Sequence, residues 1–318
     1  MRVLVTGGVG FIGYHVSTAL LVGGHTVRIV DDFSEAPYPI AEKHRNAADL
    51  RAAFGDRVSI ETTCVTDRDA MARHLDGVGG IVHLAGLAGV RPSFAQPARY
   101  ARVNVEGTAT VLEAALGAGV GRIVIASSSS VYGNSTPLPA VEGAPAIAPE
   151  SPYAATKRGA ELIASAICRR APNVACAALR FFTVYGPRQR PEMAITLFTR
   201  AVLAGTPITV FGDGSMRRDF THVDDIARGV IAALDRAPAG FRAFNLGSGA
   251  PVDLAGLVRA IGHTAGIEPK IVRAAVPQGD VDATFADIAR ARTELGWSPS
   301  VELSDGLKTV LDWVRTHR

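Results

Sequence analysis

Val3-Leu4-Val5-Thr6 runs directly into Gly7-Gly8-Val9-Gly10-Phe11-Ile12-Gly13, and a helical pattern follows. A strand that turns through glycines into a helix is the opening unit of a parallel sheet, because the helix must carry the chain back before the next strand can pair. The glycines also indicate what the turn can receive. A pyrophosphate must come close to the backbone and take N–H bonds at the positive end of a helix, here the end opened by Phe11 and Ile12. Side chains at Gly7 or Gly10 would block that approach, and Gly13 allows helix and sheet to pack closely. Because a strand precedes the pattern and a helix follows it, the turn reads as a dinucleotide site.

The same alternation continues for the first half of the chain. Short apolar runs at 3–6, 27–30, 58–61, 81–84, 123–126 and 175–179 are the strand candidates. Helical patterns at 11–22, 39–54, 67–75, 94–118 and 152–170 lie between them. The runs are nearly continuously apolar, as expected where both faces of a sheet are covered. This predicts an α/β fold with a doubly wound parallel sheet. After residue 186 the rhythm loosens: Pro187, Pro191, Gly205, Pro207, Gly212 and Gly214 punctuate short elements. We therefore expect a Rossmann-type dinucleotide domain over 1–185, with 222–246 returning to it. A smaller, interleaved C-terminal α/β substrate lobe is expected over 186–221 and 247–318.

Composition narrows the classes. With 318 residues, 47% hydrophobic and 20% charged, the chain is long and apolar enough to bury a large core. Its 33 Lys plus Arg against 30 Asp plus Glu give +3, too small and scattered an excess for a nucleic-acid footprint. The three cysteines, Cys64, Cys168 and Cys176, neither complete a disulfide framework nor show metal-ligand spacing, so no metal is expected and a reducing compartment is. No apolar run reaches the roughly 18 residues needed to cross a bilayer, and no cleavable signal opens the chain. The expectation is a soluble cytoplasmic protein.

Two further stretches carry chemistry. The second strand ends in Asp31-Asp32, about 20 residues beyond the glycines, where a carboxylate can accept bonds from both ribose hydroxyls of the adenosine. No Arg or Lys follows immediately in Asp32-Phe33-Ser34 to compensate a 2′-phosphate, which favours NAD over NADP. Farther on, Ser151-Pro152-Tyr153-Ala154-Ala155-Thr156-Lys157 opens a helix, and Tyr153 and Lys157, four apart, share a face. An adjacent ammonium favours the phenolate, so Tyr153 can exchange a hydroxyl proton near working pH. Hydroxyls at 127–130 end the fifth strand, at the carboxyl edge where open α/β sheets bind ligands.

Together the residues resemble an extended short-chain dehydrogenase/reductase of the nucleotide-sugar epimerase and dehydratase family. The resemblance runs from Val3 to Trp297. It rests on the glycine turn, His83-Leu84-Ala85-Gly86, Asn104-Val105-x-Gly107-Thr108, Ser129-Ser130-Val131-Tyr132-Gly133, Tyr153-x-x-x-Lys157, Val184-Tyr185-Gly186-Pro187 and Arg218-Asp219-Phe220-Thr221-His222-Val223-Asp224-Asp225. It implies that Ser128, Tyr153 and Lys157 form the catalytic set. It places Ser34, Val65, Leu84, Ala85, Gly86, Asn104 and Lys157 along NAD, and assigns Arg91, Ser127, Ser129, Val210, Phe211, Arg218 and Asp280 to a UDP-sugar substrate. It also implies a homodimer joined through the helices near 94–118 and 152–170. Two departures stand out. Cys64-Val65 replaces the family's usual Asp before the hydrophobic residue at the third strand's end, so adenine must rest on other groups. Pro277 stands where several relatives have Arg, leaving Arg91 or Arg273 to meet the diphosphate.

Which reaction the site performs turns on a few positions. Dehydrating and decarboxylating relatives usually carry an acid within Ser-x-x-x-Val-Tyr-Gly, whereas this chain has Ser129-Ser130. Its Phe181-Phe182-Thr183-Val184-Tyr185-Gly186-Pro187 and Arg190-Pro191-Glu192-Met193-Ala194 segments resemble those of 4-epimerases specific for UDP-glucuronate. This implies epimerisation to UDP-galacturonic acid through a 4-keto intermediate, with Thr183, Ser127 or Ser128, and Arg190 gripping the carboxylate so that CO₂ is not lost. The alternatives are UDP-glucose 4-epimerase, a UDP-glucuronate decarboxylase or, in a different class, an inactive NAD(H)-binding regulatory protein.

Overall fold

The computed structural model describes residues 1–35, 38–275 and 283–317. Its first half alternates strand and helix in the order β1 (Arg2–Thr6), α1 (Phe11–Val22), β2 (Thr26–Asp31), α2 (Ile40–Phe54), β3 (Val58–Thr62), α3 (Arg68–Arg73) and β4 (Val78–His83). There follow α4 (Val90–Ala95), α5 (Pro97–Ala101), α6 (Gly107–Gly117), β5 (Arg122–Ser128), α7 (Pro152–Cys168) and β6 (Ala175–Phe181). The second half contains β7 (Thr183–Tyr185), α8 (Ala194–Ala204), β8 (Ile208–Phe211), β9 (Arg217–Arg218), β10 (Phe220–His222), α9 (Val223–Arg236) and β11 (Gly240–Leu246). It ends with β12 (Val252–Asp253), α10 (Leu254–Ala265), β13 (Ile271–Ala274), α11 (Ala289–Leu295) and α12 (Leu303–Thr316).

Seven strands form one parallel sheet in the order β11-β6-β5-β4-β1-β2-β3. The order reverses around β1, so the first glycine turn and the end of β4 open into one crevice, the place where such sheets take ligands. Side chains alternate across each strand. Val3 and Val5 therefore join the core beneath α1 and α9, while Leu4, Ile81, Ile123 and Ile125 join a second core that includes Val111 and Leu112 of α6 and Ala164 of α7. Both faces are dry, which explains the unbroken apolar runs in the sequence.

The expected helix over 94–118 is not continuous. It breaks at Gln96, whose non-helical backbone (φ −138°, ψ 51°) precedes Pro97, a residue that disfavours helix in its predecessor. A π-helical segment, Arg102–Glu106, then separates α5 from α6. Such insertions recur at functional sites, and this one carries Asn104.

Beyond β7 the chain builds a smaller lobe around a third core, in which Ile195 and Phe198 of α8, Val210 of β8, Leu257 and Ile261 of α10, and Leu307 and Val310 of α12 meet. Small sheets support it: β13 pairs in parallel with β8, and β12 antiparallel with β9. β11 leaves this region to pair with β6 at the edge of the main sheet, and α9 packs across from α1. The two halves therefore interleave.

Candidate active site

At the first turn, Gly7 has φ +68°, and a Cβ there would lie 2.7 Å from the Ala85 nitrogen. A Cβ on Gly13 would lie 2.0 Å from the Gly7 oxygen. These two glycines are thus demanded by the protein's own packing and not only by a ligand. Gly10 differs. Its added Cβ would meet nothing nearer than the Gly7 oxygen at 3.3 Å, so it would occupy the cradle in front of α1. No side chain caps the N-terminus of α1, leaving the N–H groups of its first turn, Phe11 and Ile12 included, for an anion. The residues present fit a pyrophosphate. Asn46 of α2, which belongs to none of the sequence motifs, steadies the turn by donating to the Val9 carbonyl at 2.8 Å.

Asp31 is buried at the end of β2 and accepts from the Phe33 N–H at 3.0 Å and from Lys43 Nζ at 2.8 Å through the same oxygen, Oδ1. Lys43 also stands 3.6 Å from Asp32. No cation follows immediately after Asp32 in sequence, but the first turn of α2 supplies Lys43, twelve positions beyond Asp31. One ammonium against two carboxylates still leaves negative charge, which disfavours a 2′-phosphate. Asp31 Oδ2 accepts from no described residue, an arrangement suited to ribose hydroxyls. Ser34 turns back through its N–H to Asp32 at 2.9 Å. Val65 is buried against Gly107, where a Cβ would come within 2.7 Å, and Cys64 contacts Thr66 Oγ1 at 3.2 Å.

The loop after β4 lies opposite. Ala85 N donates to Thr6 Oγ1 at 3.2 Å, and Leu84 N to the Thr6 carbonyl at 3.1 Å. His83 bridges Thr6 and Thr108, and burial pushes its pKa down to about 3, so this motif residue remains neutral and structural. The Asn104 side chain accepts from Leu87 N at 2.7 Å and donates to Leu87 O and Thr156 Oγ1, each at 3.0 Å. Asn104, expected along the cofactor, thereby clamps the cofactor loop to α7. Gly86 sits between this clamp and Lys157, 3.2 Å from Nζ at the position a Cβ would take.

α7 begins where the sequence indicates: Ser151 accepts from Ala154 N at 3.2 Å, and Pro152 occupies the first turn. That start fixes Tyr153 and Lys157 on the face toward β5. Burial raises the Tyr153 phenol above its ordinary range, opposed by a hydrogen bond with Ser128 and by the charge of Arg190. Lys157 lies one helical turn on. Its ammonium donates to the Ala126 carbonyl at 2.9 Å, and burial lowers its pKa to about 8, with Glu161 acting in the opposite sense. Ser128 and Arg190 thus favour the phenolate, beside the part expected of Lys157. Tyr100, missed in the sequence, meets the Tyr153 ring edge to face at 6.3 Å and anchors its hydroxyl on Ala88 O at 2.9 Å.

The neighbouring serines divide. Ser127 is 4% exposed and donates to buried Glu161 at 2.6 Å, so it supports the site from beneath rather than gripping a substrate. Glu161 in turn receives two 2.8 Å bonds from Arg180. Ser128 accepts from Ser130 N and Oγ at 3.2 and 2.9 Å. Ser129 and Ser130 line a cleft with Phe182, Arg218 and Glu150. β5 pairs Ser128 with Phe181, two residues before half-buried Thr183, so these hydroxyls share one edge of the sheet.

On the lobe side, Arg91 of α4 lies over the Phe211 ring at 5.9 Å, bridging to β8. Val210 faces the lobe core. Arg273 points to the Gly212 carbonyl at 3.1 Å. Asp280 and Pro277 lie outside the described residues. Asp219, beside Arg218, is fully buried and holds Ser248, Gly249 and Ala286 through its two oxygens. Among the described residues no cluster of His, Cys, Asp and Glu suits a metal ion, and no helix is long and apolar enough to cross a membrane.

Comparison with known proteins matches residues 3–247 to the NAD dependent epimerase/dehydratase family. A UDP-glucuronate 4-epimerase of Thermodesulfobacterium geofontis is 36% identical over 313 residues, covering 98% of this chain and 95% of that protein. The structure of a UDP-glucuronic acid 4-epimerase from Bacillus cereus, in complex with UDP-glucuronic acid and NAD, superposes with a TM-score of 0.92 at 33% identity over all of both chains. A UDP-glucose 4-epimerase from Thermotoga maritima, with UDP-glucose, gives 0.89 at 30%, covering 100% of this chain and 99% of that one. The fold is thus shared across several sugar specificities.

Proposed function

The chain belongs to the NAD-dependent epimerase/dehydratase family, and from that premise we propose that it interconverts UDP-glucuronic acid and UDP-galacturonic acid by inverting C4 without loss of CO₂. The observation that carries this reading is the row of hydroxyls, Ser128, Ser129 and Ser130, beside Tyr153, where dehydrating and decarboxylating relatives carry an acid. The full-length likeness to UDP-glucuronate 4-epimerases supports the choice of sugar.

The dinucleotide, when bound, supplies a hydride acceptor and donor beside the sugar ring and adds positive charge there. Gly10 and the first turn of α1 would hold its pyrophosphate, and Asp31 its adenosine ribose. Tyr153 takes the proton of O4 and returns it after inversion. This needs the phenolate, which burial opposes and Ser128, Arg190 and the cofactor's charge favour. Lys157 lies between Ala126 O and Gly86, in position to bind the nicotinamide ribose.

Oxidation at C4 makes the sugar a β-keto acid, with its carboxylate two carbons from the ketone. To prevent decarboxylation, the breaking C–C bond must stay out of line with the ketone π system. Thr183, Ser128 and Arg190 are the groups assigned to fix that carboxylate, and Ser127, committed to Glu161, is removed from the set. We also infer a homodimer through α6 and α7, supported by exposed Leu162 on α7, and a cytoplasmic setting consistent with three free cysteines.

Product analysis tests this reading. Purified protein incubated with UDP-glucuronate, and separately with UDP-glucose, is expected to yield UDP-galacturonate from the first and little turnover of the second. Accumulation of a UDP-pentose, or preferential conversion of UDP-glucose, would overturn it.

A further inference from the structure

The loop at residues 186–190 joins β7 to the rest of the lobe and carries an arginine held in an unusual way. Arg188 has φ +65°, a left-handed conformation that non-glycine residues seldom adopt unless their surroundings enforce it. Its guanidinium lies 3.9 Å from the centre of the Tyr14 ring of α1 and 4.6 Å from that of Trp313 of α12, spanning dinucleotide half and lobe. One nitrogen, Nη1, donates to Asn46 Oδ1, and Nη2 donates to Asp49 at 2.5 Å, both residues on α2. Its own carbonyl accepts from Tyr38 at 3.0 Å. The neighbouring Pro187 carbonyl bonds His15 of α1 at 3.0 Å.

Asn46 is the residue that holds the Val9 carbonyl in the glycine turn. An unbroken line of contacts therefore runs from the cofactor turn through Asn46 to Arg188. Two residues on stands Arg190, whose charge reaches Tyr153 and Tyr100. Gln189 completes the fastening, with Nε2 donating to Val184 O at 2.7 Å and Oε1 accepting from Thr196 at 3.0 Å.

We propose that Arg188 is a positioning residue that ties the dinucleotide turn to the sugar-side loop, setting Val9 and Arg190 in register across the crevice. A guanidinium suits the task because it is flat enough to lie between two rings and offers nitrogens to two acceptors at once. An ammonium has no flat face to lie between the rings and presents its donors from a single nitrogen. The role deepens the epimerase reading and rests on it for the sugar end, whereas the cofactor end is measurable alone.

The test compares wild type, Arg188→Ala and Arg188→Lys for NAD affinity, for kcat and KM with UDP-glucuronate at saturating NAD, and for rescue by millimolar guanidinium. The expected result for Arg188→Ala is NAD affinity about tenfold weaker and kcat at least about tenfold lower with KM within a fewfold. Added guanidinium restores part of both, ammonium does not, and Arg188→Lys remains impaired. Wild-type affinity and kcat in Arg188→Ala would overturn the proposal. So would losses that track only the fraction of folded protein and ignore guanidinium, or failure of both variants to fold, since either outcome assigns Arg188 to stability alone. If wild type binds NAD but does not epimerise UDP-glucuronate, and the cofactor effects still appear, the functional reading fails while the tie to the dinucleotide turn stands.

Discussion

Replacing Tyr153 by Phe is expected to lower kcat about a thousandfold while leaving affinity for NAD and UDP-glucuronate within a fewfold of wild type. The phenol hydroxyl is the group the structure places beside Ser128 and within reach of the Arg190 charge at the end of the sheet. Phe preserves the edge-to-face packing against Tyr100, so the loss isolates proton transfer from packing. Steady-state kinetics together with equilibrium titration of both ligands decide the matter. Turnover within tenfold of wild type would remove Tyr153 from the chemistry.

The second large effect is expected beneath the site. Glu161 is fully buried and bound by Arg180, Ser127 and Arg158. Burial alone would raise its carboxyl, but Arg180 and Ser127 outweigh burial and hold it below the ordinary range. Glu161→Gln leaves Arg180 buried without its countercharge, and removing one partner of such a pair costs about 3 kcal/mol or more. Denaturant unfolding at neutral pH is expected to show that loss. The sign with pH follows from linkage. A carboxyl with a depressed folded pKa contributes stability above its unfolded value, near ~4.3, and loses it as pH falls through the folded value. The gap between wild type and Glu161→Gln should therefore narrow on acidification below about pH 4. A constant gap, or none, would show that Arg180 is compensated in another way.

How far the sequence carried the reading depends on the range of the interactions involved. The glycine turn and the Tyr153–Lys157 spacing are local, so a strand before, a helix after and a shared helical face sufficed to place them. Adjacent serines were beyond that reach. Ser127 and Ser128 have the same chemistry, and only the folded strand shows that one is spent on Glu161, 34 positions on, while the other lies beside Tyr153. Lys43 reaches Asp31 by way of α2, and Tyr100 reaches Tyr153 by way of α5, contacts that no motif spacing encodes. Asn104 belongs to a quoted motif, and its bonds to Leu87 and Thr156 are contacts that the motif does not encode. The break at Gln96 had a local signal in Pro97 that the apolar pattern over 94–118 outweighed.

In the proposed reaction the sugar's C4 hydrogen leaves as hydride and returns to the same carbon while shielded from water. UDP-glucuronate deuterated at C4, converted in ordinary water and examined by mass spectrometry and NMR, tests this directly. The expected result is UDP-galacturonate that retains deuterium at C4. Product carrying solvent hydrogen at C4 would contradict it and point to proton abstraction at carbon instead.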